Sequence, residues 1–80
     1  MFFAKKKLGD IVIKRYDNRV YVYNLKNDLI KKLEFAKGEK FAIEYHETTK
    51  SFKVKHGMIE RNIVEEYDLS GNQINNIERV

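Results

Sequence analysis

The sequence predicts a mostly-β fold of α+β class: a small antiparallel sheet or barrel with one short α-helix, completed by association with a second copy of the chain. Three observations predict this. Short runs rich in Val, Ile, Tyr and Phe are separated by Gly, Asn and Asp, which is the pattern of strands joined by tight turns. One stretch, Leu25 to Leu33, changes to helical spacing. The chain has 80 residues with no cysteine, so it is one small domain without a disulfide or a thiolate metal site to staple it.

Residues 1–9 read as a flexible basic arm, since Lys5, Lys6 and Lys7 follow one another and Gly9-Asp10 ends the run. Ile11 to Arg15 is β-branched and reads as a strand. Tyr16-Asp17-Asn18 reads as a turn, because Asp and Asn bond their own backbone and tolerate left-handed dihedrals. Val20 to Tyr23 returns as a second strand, with Tyr21 and Tyr23 on one face and Val20 and Val22 on the other. Asn27 then suits a helix N-cap, and Asp28 puts negative charge at the helix start. Leu25, Leu29, Ile30 and Leu33 recur at three- and four-residue steps as one apolar stripe.

After Lys37-Gly38 the strand period resumes. Phe41, Ile43 and Tyr45 share a face, Glu47 to Lys50 turns, and Phe52 and Val54 point inward on the return strand. His56-Gly57 reads as a further turn. Met58 to Tyr67 is a longer, ragged strand with Ile59, Ile63 and Val64 as its apolar members, and Ser70-Gly71-Asn72 turns again. Gln73 to Val80 closes the chain as a strand or a short helix. The resulting organisation is an arm at 1–9, a basic β-β-α-β-β unit at 10–55, and a C-terminal β-hairpin extension of the same domain at 56–80.

Composition argues against several function classes. No window approaches the ~20 apolar residues of a membrane-spanning helix, and Met1 to Ala4 precedes the lysines, the reverse of a signal peptide. A cytoplasmic protein without a membrane partner is expected. His46 and His56, the two histidines, read as solvated loop residues, and no metal-ligand spacing surrounds them. Ser51 and Ser70 lack a nucleophile motif. Gly9, Gly38, Gly57 and Gly71 stand singly, so no phosphate-cradling loop is present. Glu65, Glu66 and Asp68 read as a solvated acidic edge. No enzyme activity, metal or cofactor is expected.

The basic residues carry the functional signal. Net charge is +4. Residues 1–40 hold eleven Lys and Arg against five Asp and Glu, a net +6, whereas residues 41–80 hold five against seven, a net −2. A segregated basic half points to a polyanion. The candidate nucleic-acid contacts are Lys5, Lys6, Lys7, Lys14, Arg15, Arg19, Lys26, Lys31 and Lys32, because phosphate neutralisation needs accessible Lys and Arg. Tyr16, Tyr21 and Tyr23, interleaved with them, are candidates for base stacking.

The run Lys14-Arg15-Tyr16-Asp17-Asn18-Arg19-Val20-Tyr21-Val22, followed by Leu29, Leu33 and Phe35 to Glu44, resembles the AbrB-like (SpoVT/AbrB, MazE-type) swapped-hairpin DNA-binding domains over about residues 11–55. The resemblance implies an obligate homodimer with interleaved hairpins. It also implies DNA contacts from the basic hairpin and the loop before the helix, placing Lys14, Arg15, Arg19 and Lys26 on the DNA with Lys31 and Lys32 beside them.

Three functions follow as expectations. The first is a small dimeric duplex-DNA-binding transcriptional regulator. The second is a single-stranded DNA- or RNA-binding β-module that stacks bases on its tyrosines. The third is a phage-type or antitoxin-like protein-interaction factor, in which the acidic stretch Glu60 to Asp68 meets a host or toxin protein.

Overall fold

A computed structural model describes residues 4–58 and 61–79, all in strands and their connections. Eight strands follow in order: β1 (Ala4–Leu8), β2 (Ile11–Tyr16), β3 (Arg19–Asn24), β4 (Leu29–Glu34), β5 (Lys40–His46), β6 (Ser51–Met58), β7 (Arg61–Asp68) and β8 (Gln73–Arg79). They form two four-stranded antiparallel meanders, β1-β2-β3-β4 and β5-β6-β7-β8. The inner faces of the two sheets share one core. Ile11, Val20, Val22 and Leu33 come from the first sheet, Phe52, Val54 and Tyr67 from the second, and Phe35 from the crossing between them. The molecule spans 37 × 33 × 16 Å, and its thin dimension accommodates two sheets stacked about 10 Å apart.

The predicted helix is absent among the described residues, and strand β4 occupies its place. The side chain of Asn24 explains why. Its Oδ1 accepts the backbone N–H groups of Lys26 and Asp28, both at 2.9 Å, and Asn27 turns back with φ 71°. Asn24 thus holds a tight loop closed at the point where Asn27 was expected to cap a helix. A two-turn helix is marginal without packing, whereas the strand buries Leu33 and Phe35 in the core. A bulge follows: Val22 pairs with Lys31 but Tyr23 pairs with Leu29, so Ile30 is the extra residue. The bulge reverses the alternation, leaving Leu29 54% exposed while Ile30 packs against the core.

Three other expectations are corrected. Residues 4–8, read as part of an arm, pair with β2 as edge strand β1; residues 1–3 lie outside the described residues. His56-Gly57 does not turn but continues β6, with His56 opposite Ile63 and Gly57 opposite Asn62. The boundary placed at residue 55 therefore falls inside a strand, and the chain changes sheet at 35–39 instead. There Asn18 ties down the crossing: Phe35 N–H donates to the Asn18 carbonyl at 2.8 Å, and Asn18 Nδ2 donates to the Phe35 carbonyl at 2.7 Å. Of the ragged strand, Ile59 and Glu60 lie outside the described residues, and β8 is a strand rather than a helix.

The other predicted hairpins form with the predicted faces. Asp17 has φ 52° in the β2–β3 turn and Lys50 has φ 51° in the β5–β6 turn. Between β7 and β8, Asp68 Oδ1 accepts the N–H groups of Ser70 and Asn72 at 2.9 Å each. Phe41, Ile43 and Tyr45 of β5 all pack against the core.

Candidate nucleic-acid interface

The register of the first sheet sorts its side chains into two faces, because successive residues of a strand point to opposite sides. Val20, Val22, Ile11 and Leu33 define the inner face. The outer face then carries three cross-strand rows: Tyr16–Arg19–Glu34, Lys5–Lys14–Tyr21–Lys32, and Lys7–Val12–Tyr23–Leu29. Five cations and three tyrosines share this face, and Glu34 is the one carboxylate in its rows.

The tyrosines interlock with the cations. Tyr16 meets Tyr21 edge-to-face with centroids 5.6 Å apart. Lys14 Nζ lies 4.6 Å from the Tyr23 centroid and Lys32 Nζ 5.9 Å from that of Tyr21, within cation–π range. Lys32 also pairs with Glu34 at 3.3 Å. Lys5 stands directly opposite Lys14, and like charges at opposed positions destabilise a strand pair.

The remaining candidates are placed elsewhere. Lys6, Arg15 and Lys31 fall on the inner side of the register. The Arg15 guanidinium lies 4.6 Å over the Phe41 ring, and its Nε donates to the Asp17 carbonyl at 3.2 Å. Lys31 Nζ lies 4.8 Å over the Tyr67 ring of the second sheet. Lys26 is exposed in the β3–β4 turn. The structure therefore gathers Lys5, Lys7, Lys14, Arg19, Lys32, Tyr16, Tyr21 and Tyr23, and separates them from Lys6, Arg15, Lys26 and Lys31.

The second sheet holds a polar cluster that the sequence reading misplaced. His56 is not a loop residue. Its Nδ1 is 2.5 Å from Glu39 Oε2 and its Nε2 is 2.7 Å from Glu65 Oε1, with 14% of its side chain exposed. Burial opposes the charged ring, but the hydrogen bonds and charges of Glu39 and Glu65 outweigh it and raise the His56 pKa above its ordinary value. Tyr67 donates to Glu65 Oε2 at 3.0 Å. Burial first, then that carboxylate, pushes its phenol up to about 12. The signal was available: Phe52 and Val54 point inward, so strand parity puts His56 inward too, and Ile63 does the same for Glu65 and Tyr67.

The remaining acidic residues are not a free edge either. Ser51 donates to Glu66 Oε2 at 2.6 Å, and Asp68 holds the β7–β8 turn, whose N–H groups keep its carboxyl below the usual range. Between the sheets, Tyr45 donates to Asp10 Oδ2 at 2.9 Å and Lys50 lies 3.4 Å from the same oxygen. Both lower the Asp10 pKa, Tyr45 more strongly. Among the described residues, no three His, Cys, Asp or Glu side chains are grouped so as to hold a metal ion, and no helix is long and apolar enough to cross a membrane. Comparison of the chain with protein-family models, curated proteins and solved structures finds no match.

Proposed function

We propose that the outer face of the first sheet binds single-stranded nucleic acid. The observation that carries this is the gathering of Tyr16, Tyr21 and Tyr23 with Lys5, Lys7, Lys14, Arg19 and Lys32 on one open face. Aromatic rings stack on unpaired bases of any sequence, and the surrounding cations neutralise phosphates with release of counterions. Shape favours a single strand over a duplex. Four strands about 4.8 Å apart make a face about 14 Å wide before side chains are added, wider than the ~12 Å major groove. The reading as a dimeric duplex-DNA regulator leans on an AbrB-like layout whose helix is replaced here by β4, so it draws support from charge alone.

The test is a titration of a labelled single strand and a duplex of equal length at two salt concentrations. Single-strand binding is expected to be tighter and to weaken with salt, with a log–log slope near −0.7 for each phosphate neutralised. Tyr21→Ala should lower affinity roughly 5- to 150-fold, the worth of one base–aromatic stack. Lys53→Ala, on the far sheet, should leave affinity unchanged. Equal or tighter duplex binding, or binding indifferent to salt, refutes the proposal.

A further inference from the structure

We infer that the bound strand runs lengthwise along β2 and β3 and that the face holds three consecutive nucleotides. This rests on the single-strand reading and specifies its ligand. Tyr16, Tyr21 and Tyr23 occupy three successive cross-strand rows, one ring per row, all on the two central strands of the sheet. Same-face residues two apart on a strand are about 6.7 Å apart. A path along the strands therefore meets three rings at that step, whereas a path across them meets one.

The step is about twice the ~3.4 Å rise of stacked bases, so the ligand is an unstacked, extended strand with each base on its own ring. The two sides of the track differ in charge. Lys5, Lys7 and Lys14 lie together over β1 and β2 with no carboxylate in their part of the rows. On the β4 side Lys32 is already paired with Glu34. The phosphates accordingly run along the β1 side of the track and the bases over the rings of β2 and β3.

In the free protein Lys14 and Lys32 lie over the Tyr23 and Tyr21 rings, where the second and third bases would stack. Binding moves the Lys14 ammonium from its ring to a phosphate, and the base on Tyr21 displaces Lys32 toward its partner Glu34. The cations thus cover the aromatic faces until the strand displaces them.

The experiment is a length series of oligothymidylates, from one nucleotide to about eight, titrated at elevated salt, where phosphate contacts beyond the track contribute little. Affinity is expected to rise by about tenfold for each nucleotide up to three and by far less for each one after. Tyr16→Ala should move the break to two nucleotides, while Tyr16→Phe, which keeps the ring, leaves it at three. A break after one nucleotide, a uniform rise with no break, or a break unmoved by Tyr16→Ala overturns the lengthwise track while leaving single-strand binding standing. No binding at any length overturns both.

Discussion

At the scale of single residues, the pair of carboxylates around His56 has the clearest measurable consequence. Glu39 belongs to the segment that crosses between the sheets, and Glu65 belongs to β7. The imidazolium donates to both at once, so the charged ring joins the crossing to the second sheet. The folded-state pKa lies above the ordinary 6.5. The stabilisation is therefore complete below about 6.5 and is lost as pH rises through the raised value. Urea unfolding should show a lower midpoint at about pH 9 than at about pH 6, and His56→Gln should abolish that difference. A midpoint that rises with pH in the wild type would contradict the arrangement. The tyrosines behave differently in this respect. Alternation with Val20 and Val22 already placed Tyr21 and Tyr23 on a common face, and packing of the valines made that face the outer one.

Among the elements, β4 shows how a local pattern can favour the wrong structure. Leu25, Leu29 and Leu33 fit helical spacing, yet Leu25 and Leu29 are each 54% exposed and Leu33 alone is buried. The deciding groups were the Oδ1 of Asn24, which closes the loop, and the free edge of β3, which offers backbone partners that an isolated helix lacks. Two glycines test how tightly the turns are held. Gly71 has φ 84°, and a Cβ there would lie 2.3 Å from the Ile30 carbonyl oxygen. Gly38 has φ 85° with nothing within 4 Å of a Cβ. Gly38→Ala should therefore cost only the left-handed backbone strain of about 1–2 kcal/mol. Gly71→Ala should cost distinctly more, because backbone must move between β4 and the β7–β8 turn. Thermal melting of the two variants compares them directly, and equal losses would show that the contact at Ile30 is not tight.

For the whole molecule, the second sheet of the same chain covers the inner face of the first. Each sheet buries its inner face against the other, and fully buried Phe52 and Val54 face Ile11, Val20 and Val22. Phe52→Ala should destabilise by about 3–5 kcal/mol, a large share of the ~5–15 kcal/mol total stability of a typical domain. Because the core is shared, the outer-face residues of the first sheet should lose their NMR dispersion in the same transition as the second sheet. Survival of one sheet without the other would refute a common core. The charge segregation follows this architecture: residues 1–34, which include the first sheet, hold nine Lys and Arg against four Asp and Glu, whereas residues 35–80 hold seven against eight. By itself the sequence determined the strand runs, most turns, the shared side-chain faces of β3 and β5, the inward face of β6, and the basic character of the first half. Those properties are set by neighbours in the chain: side-chain alternation, turn chemistry and charge count. Only tertiary structure decided that β4 is a strand, that Lys5 and Lys7 belong to a sheet face and not an arm, and that His56 sits between two glutamates. Each of these depends on a partner distant in sequence, such as the β3 edge, β2, or Glu39 and Glu65, whose approach no local pattern encodes.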